Sequence, residues 1–318
     1  MGSEMCIRDR LKGGVDLFVI ETMMDLQEAR AALIAVKESC DLPVMVSMTY
    51  DESKRTLTGS EPVTALITLQ SLGADCVGVN CSTGPEKMVD VIKLMKPYAK
   101  VPVFAKPNAG LPKIKDGKTY FDLTPKEFAS YAKKFIDAGC NIIGGCCGTE
   151  PEHIREIKKA VKNKKPKKYI VKNFTAVTSL TKTVIIDNTK PLIVIGERIN
   201  PTGKEILKNE LKNNKYNQIR KLVYEQEKAD TDILDINVGI PDIDEKKKMY
   251  DVINFILKIT SLPLSIDSSS PDVIESALRL YPGKALINSV SGEKKKICLL
   301  YTSPSPRDLS TSRMPSSA

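Results

Sequence analysis

Val15-Asp16-Leu17-Phe18-Val19-Ile20-Glu21 is followed, after Thr22, Met23 and Met24, by residues 25–39, DLQEARAALIAVKES, and these two stretches decide the fold. The first is a short apolar run ending in a carboxylate, the pattern of a strand covered on both faces. In the second, Leu26, Ala29, Ala32, Leu33 and Val36 recur at helical spacing and make a one-sided apolar stripe. The pair repeats along the chain. Strand-like runs fall at 43–49, 75–81, 101–106 and 140–146, and helical stretches at 61–72, 86–98, 124–138 and 151–162. Pro62, Pro85, Pro125 and Pro151 stand at or near first-turn positions, with Thr124 as a candidate cap. Buried strands separated by helices predict a parallel sheet, and five such units in a row fit most of a (β/α)8 barrel better than a small open sheet. Ligands of such folds gather at the carboxyl ends of the strands, where Glu21, Cys81, Lys106, Cys146 and Cys147 fall.

Residues 163–168, NKKPKK, break the pattern and read as an exposed linker; residues 169–190 hold short β-prone pieces with no predicted place. A second alternation follows, with strand-like runs at 192–197, 232–238, 263–267 and 285–290 and helices at 203–228, 244–260 and 271–280. The predicted fold class is therefore α/β, two incomplete (β/α)8 TIM-type barrels in tandem joined by a lysine-rich linker. The predicted boundaries are 11–165, a linker at 166–190, and 191–296. Residues 1–10 and 297–318 are expected to be non-native or disordered. The tail is rich in Ser and Pro without an apolar period, and both it and the MCIRDR stretch resemble translated sequencing-adapter read-through.

Composition narrows the function. A chain of 318 residues holds eight cysteines and no evident signal peptide, which points to a reducing, cytoplasmic setting where clustered thiols bind metal or do chemistry. No apolar run approaches the roughly 20 residues that cross a bilayer, so no membrane partner is expected. The formal charge of +9 is spread over lysine-rich helix faces with few aromatics between, which fits a solvated surface rather than a nucleic-acid partner. His153 is the single histidine, and any Ser-His-Asp chemistry has to run through it at a polar helix start.

Two sets of residues carry chemistry. In Gly144-Gly145-Cys146-Cys147-Gly148-Thr149, neighbouring thiols would point apart in a regular strand, and the flanking glycines permit shapes in which they converge. With Cys81, at the end of Val77-Gly78-Val79-Asn80, they describe three corners of a tetrahedral zinc site with the fourth open. Buried core cysteines and a vicinal disulfide are the alternatives that spacing leaves standing. In the second half each strand ends in polar residues: Glu197 and Asn200, Asp235 and Asn237, Asp267, and Asn288. Such tips could ring a polar heterocycle or simply cap the helices that follow.

Taken together, the two halves resemble the cobalamin-dependent methionine synthase family. Residues 11–163 resemble the later part of its homocysteine-binding barrel, through Asp16 to Thr22 (DLFVIET), Gly78 to Cys81 (GVNC) and Gly144 to Thr149 (GGCCGT). Residues 192–293 resemble the start of its pterin-binding barrel, through Gly196 to Asn200 (GERIN), Asp232 to Gly239 (DILDINVG), Ser265 to Ser268 (SIDS) and Ile287 to Gly292 (INSVSG). The resemblance implies zinc on Cys81, Cys146 and Cys147, with Glu21 holding the amino group of homocysteine. It implies that Glu197, Asn200, Asp267 and Asn288 hold the pterin of 5-methyltetrahydrofolate, the methyl donor. It also implies a cobalamin-binding module as partner, for which this chain offers no candidate stretch. The early strands of the first barrel and the late strands of the second are missing from the pattern, so the expected piece is inactive in overall turnover. A cobalamin-independent zinc homocysteine methyltransferase, a non-catalytic zinc- or pterin-binding module, and a dihydropteroate synthase are the rival expectations.

Overall fold

The computed structural model describes residues 2–165, 173–187 and 191–289. The chain divides into two compact units, Met1–Lys172 and Asn173–Ala318.

The first unit opens with helix α1 (Gly2–Lys12), which buries Ile7 and packs on α2. The sequence offers no apolar period there, yet Ile7 and Leu11 share one helical face. The alternation then runs β1 (Phe18–Met23), α2 (Leu26–Ser39), β2 (Val44–Met48), α3 (Pro62–Ser71), β3 (Cys76–Asn80), α4 (Pro85–Met95) and β4 (Val103–Lys106). A hairpin, β5 (Pro112–Lys115) and β6 (Lys118–Phe121), precedes α5 (Pro125–Ser130), α6 (Ala132–Asp137), β7 (Ile142–Ile143) and α7 (Pro151–Val161). The sheet order is β1-β2-β3-β4-β7, parallel throughout. Buried residues of one sheet face, Val44, Val46, Met48, Val77, Val79 and Val103, lie on the side away from Gly78 and Phe104, and in the predicted stripe of α2 Leu26, Ala29, Leu33 and Val36 are buried and Ala32 is half-buried.

Caps fix the helix starts. Thr124 and Glu127 form a reciprocal capping box on α5, Asp25 caps α2, and proline opens α3, α4, α5 and α7. Two features depart from the sequence expectation. The β5–β6 hairpin turns at Asp116-Gly117, both with positive φ, a turn signal that the surrounding lysines obscure. The stretch 124–138 is two helices broken at Tyr131 rather than one.

The sheet is curled. Flat strands spaced about 4.8 Å apart would hold β1 and β3 about 10 Å from each other, yet the short Asn80 side chain at the end of β3 takes the Thr22 amide of β1 at 2.8 Å, and Glu21 on β1 forms an ion pair with Lys106 on β4. Curling carries the carboxyl ends of the strands towards one another. At the centre, Gly78 allows it: a Cβ there would overlap the ring and the carbonyl oxygen of Phe104 on β4.

The second unit begins with an antiparallel hairpin, β8 (Thr175–Thr178) and β9 (Thr183–Ile186). It lies within the stretch assigned by sequence to the linker; residues 166–172 and 188–190 are outside the described residues. Then come β10 (Ile195–Ile199), α8 (Glu205–Lys212), α9 (Asn217–Lys228), β11 (Ile233–Asn237), α10 (Glu245–Ile256), β12 (Leu264–Asp267), α11 (Pro271–Leu280) and β13 (Leu286–Asn288). The parallel sheet runs β10-β11-β12-β13. The helix expected over 203–228 is divided by a turn in which Asn214 takes a positive φ of 54°.

The hairpin covers the amino ends of these strands. Val177 and Val184 pack on Ile233, and Tyr281, fully buried, ties the layers together. Its hydroxyl donates to the Thr178 carbonyl at 2.9 Å and accepts from the Leu264 amide at 3.1 Å. The expected tail at 297–318 lies outside the described residues.

Two substitutions test this packing. Gly78→Ala is expected to lower the stability of the first unit by about 2–3 kcal/mol, since ring and backbone must both move. Tyr281→Phe removes a hydrogen bond from each of two backbone groups and is expected to cost the second unit about 1–3 kcal/mol. Urea unfolding of each variant checks both values.

Candidate functional site

Cys81 directly follows β3 and takes a left-handed backbone, with φ of 62°. Its amide donates to the Lys106 carbonyl at 3.2 Å. Cys146 and Cys147 lie on the loop after β7, and that loop leans on the same segment. The Cys146 amide donates to the Pro107 carbonyl at 2.9 Å, the Cys147 amide to Asn108 Oδ1 at 3.0 Å, and the Ala109 amide to the Cys147 carbonyl at 2.9 Å. The three sulfurs all lie within 4.8 Å of one another, Cys81 Sγ being 3.8 Å and Cys146 Sγ 3.9 Å from Cys147 Sγ. A disulfide needs about 2.05 Å, so these are free thiols, not a vicinal pair. Nor are they core cysteines: that part is played by Cys76 and Cys140, which are buried and whose thiols burial pushes up to about 12. Metal–sulfur bonds of about 2.3 Å in a tetrahedron put sulfurs about 3.8 Å apart, so the three thiols could hold one ion. Burial, then the neighbouring Cys81 and Cys146 sulfurs, push the Cys147 thiol up to about 11.

The thiols converge by a different route from the expected freedom of three glycines. Of Gly144, Gly145 and Gly148, only Gly148 has positive φ, 74°. The left-handed Cys81 and close packing do the rest: a Cβ at Gly145 would meet the Thr149 side chain, and one at Gly148 the Phe121 ring.

Sequence reasoning missed the residue behind the cluster. Asn80, fully buried at the end of β3, accepts at Oδ1 from the Thr22 amide (2.8 Å) and Ser47 Oγ (2.7 Å). Its Nδ2 donates to Thr22 Oγ1 at 2.7 Å and reaches Cys146 Sγ at 3.6 Å. One amide thus joins the tips of β1, β2 and β3 to a thiol. Its signal was a lone polar residue closing an apolar strand beside a cysteine.

Glu21 sits at an irregularity. Ile20 pairs with Val46 but Met23 with Met48, so β1 carries one extra residue at Glu21-Thr22, where Thr22 has φ of 62°. There Glu21 pairs with Lys106. His153 is not a catalytic base. It is buried, its Nδ1 accepts from the Glu150 amide at 3.1 Å, and its Nε2 is 3.1 Å from the Leu123 carbonyl, to which it donates in the tautomer that the first bond selects.

In the second unit the predicted residues again meet at the strand tips. Gly196 pairs with Leu234 and Ile199 with Ile236, so β10 carries its own extra residue at Glu197-Arg198. Asn200 Nδ2 donates to Glu197 Oε1 at 3.2 Å, Asn237 Nδ2 to Asp267 Oδ2 at 2.9 Å, and Asn288 Nδ2 to Asp235 Oδ1 at 3.2 Å. Helix capping accounts for little of this. The cap of α10 is Asp244, while Asn200 and Asn237 close short turns onto the amides of Thr202 and Gly239. Asp235 is buried, and burial foremost, with the fields of Asp267 and Glu197, raises its carboxyl above the usual range, against the hydrogen bond from Asn288.

Residues 5–161 match the family model described as homocysteine S-methyltransferase, and residues 196–302 the one described as pterin binding enzyme. A methionine synthase of Mycobacterium tuberculosis is 31% identical over 289 residues, and one of Mycobacterium leprae is 29% identical over 295. Each alignment takes in 89% of this chain, which spans 24% of the length of either relative. The apo crystal structure of the homocysteine methyltransferase MmuM from Escherichia coli aligns at 22% identity with a TM-score of 0.40, over 50% of this chain and 56% of that one.

Asp235 gives the second site a pH signature. A carboxyl raised on folding holds its proton more tightly in the folded state, so its contribution is fullest below the ordinary carboxylate range and is lost as pH rises from about 4 through the raised value. Asp235→Asn is therefore expected to gain stability relative to wild type as pH rises towards neutrality, followed by urea unfolding across pH. A difference that stays constant with pH contradicts this.

Proposed function

We propose that this chain, in which a homocysteine S-methyltransferase domain precedes a pterin-binding-enzyme domain as in a segment of methionine synthase, serves methyl transfer from 5-methyltetrahydrofolate, by way of a cobalamin, to zinc-activated homocysteine, yielding methionine and tetrahydrofolate. Each curled parallel sheet is then part of a (β/α)8 barrel, with the lysine-rich stretch between them as linker. The observation that carries the proposal is the trio of thiols within 4.8 Å at the strand ends of the first unit, in a chain whose next unit is of the pterin-binding type.

Cys81, Cys146 and Cys147 would hold the zinc, which supplies a fourth position for the homocysteine sulfur and favours its thiolate, a species scarce at neutral pH for a thiol of pKa near 8.5. The chain's own residues do the rest. Asn80 fixes Cys146 from behind, and Asn108 fixes the Cys147 backbone. Glu21, brought forward by the extra residue in β1, receives the substrate's amino group. In the second unit, Glu197, Asn200, Asp267 and Asn288 hold the pterin, whose ring edge alternates donors and acceptors as carboxylates and amides do. Asp235 and Asn237 orient Asn288 and Asp267 from beneath. The cobalamin belongs to a partner module; the setting is cytoplasmic, without nucleic acid or membrane. Among the described residues no helix is long and apolar enough to cross a bilayer.

Zinc per chain, measured on the purified 318-residue protein beside Cys146→Ser, tests the metal assignment. About one zinc, lost in the variant, is expected. Equal, negligible zinc in both, from protein whose circular dichroism shows it folded, refutes it.

A further inference from the structure

The Lys106–Glu21 ion pair joins the tips of β4 and β1, and neither partner is fully buried, with side-chain exposures of 24% and 47%. A partly exposed pair of this kind contributes little to stability and exchanges readily for other partners. Its position is nevertheless tightly set. Lys106 accepts the Cys81 amide on its own carbonyl, and its side chain lies along Gly144, where a Cβ would stand 3.3 Å from Lys106 Cγ. Pro107, Asn108 and Ala109, the next three residues, carry the Cys146–Cys147 loop. The residue that fixes one thiol thus also fixes a positive charge beside the cluster, against a negative charge from the opposite edge of the sheet.

We propose that Lys106 and Glu21 together receive the two charges of a zwitterionic amino acid, Lys106 taking the α-carboxylate while Glu21 takes the ammonium. The assignment rests on homocysteine as the thiol substrate and extends it to a specificity residue. An α-amino acid carries both charges on one carbon, so its two receptors must lie side by side. An ion pair meets that condition: before substrate binds each partner satisfies the other, and on binding each turns to its counterpart on the substrate. One ion pair is exchanged for two, and no charge is left alone at any stage. A thiol without the carboxylate gains only the Glu21 contact and must displace Lys106 to make it. The site therefore selects amino-acid thiols over simple amines or acids of the same length.

The test is calorimetric binding of two thiols, homocysteine and 3-mercaptopropylamine, to the zinc-loaded full chain, with metal content and circular dichroism measured for every variant. Lys106→Met is expected to weaken homocysteine about tenfold to a hundredfold, the worth of a charged hydrogen bond, while 3-mercaptopropylamine binds as well as before or better. Lys106→Arg keeps the charge and is expected to keep the preference for homocysteine, so it carries the test should the methionine variant fail to fold. Lys106→Met that binds homocysteine as wild type does, or that weakens both thiols alike, overturns the assignment of Lys106 alone. A wild-type chain that holds zinc and binds neither thiol overturns the homocysteine reading and this proposal with it.

Discussion

Four consecutive residues, the last of β4 and the three that follow it, hold the first site together. Lys106 and Pro107 offer carbonyls to Cys81 and Cys146, Asn108 offers its side-chain oxygen to Cys147, and the Ala109 amide returns a bond to Cys147. Loops from two strands that are not neighbours in the sheet are thereby set against one rigid strip. A thiol is a weak hydrogen-bonding group and cannot hold its own position, so its placement must come from the backbone on either side. Anything that moves the strip moves all three sulfurs. Phe104 and Gly78, packed face to face one turn of the pleat below, are the steric basis of that strip.

The two units solve the same problem with different side chains. Each curls a short parallel sheet so that its carboxyl ends converge, and each gathers its clustered thiols or its carboxylate–amide pairs there. In the first the convergent groups are soft sulfurs with a charged pair alongside, suited to a metal and an amino acid. In the second they are carboxylates and amides in donor–acceptor couples, suited to a flat heterocycle. The second unit also has a covered lower end, where the β8–β9 hairpin and Tyr281 satisfy backbone groups at the start of the strands.

Much of this could be read from the sequence because it depends on local pattern. Apolar runs and helical stripes place strands and helices, and a polar residue at the end of an apolar run falls at a strand tip wherever the sheet bends. Cys81, Cys146, Cys147, Asp267 and Asn288 were legible for that reason. What was not legible depends on distant partners. Asn80 acts on Thr22 and Cys146, residues 58 and 66 positions away, and Asn108 on a backbone amide 39 positions away. The burial of His153 was not legible, because its helix start is polar in sequence and the Leu123 carbonyl and Phe128 ring that meet it come from another segment. The hairpin at 175–186 escaped because two four-residue strands carry too little periodicity to stand out. The break near Asn214 escaped because the apolar stripe resumes beyond it almost in phase.

The extra residue that β1 and β10 each carry at a glutamate has a consequence for how such chains can change over generations. Loops commonly absorb insertions and deletions, because nothing downstream depends on their parity. A strand tip does not, since losing one residue exchanges inward and outward faces for everything beyond it. In β1 the removal of Thr22 would restore ordinary pairing but take away the amide and hydroxyl that bind Asn80 behind the thiols. In β10 the removal of Arg198 would likewise take away the amide that binds Gln226 and the carbonyl that binds Lys204. The two glutamate-bearing tips are thus tied to the length of their strands by bonds that the neighbouring residue makes, and drift in length is closed to these two strands while it stays open to the loops around them.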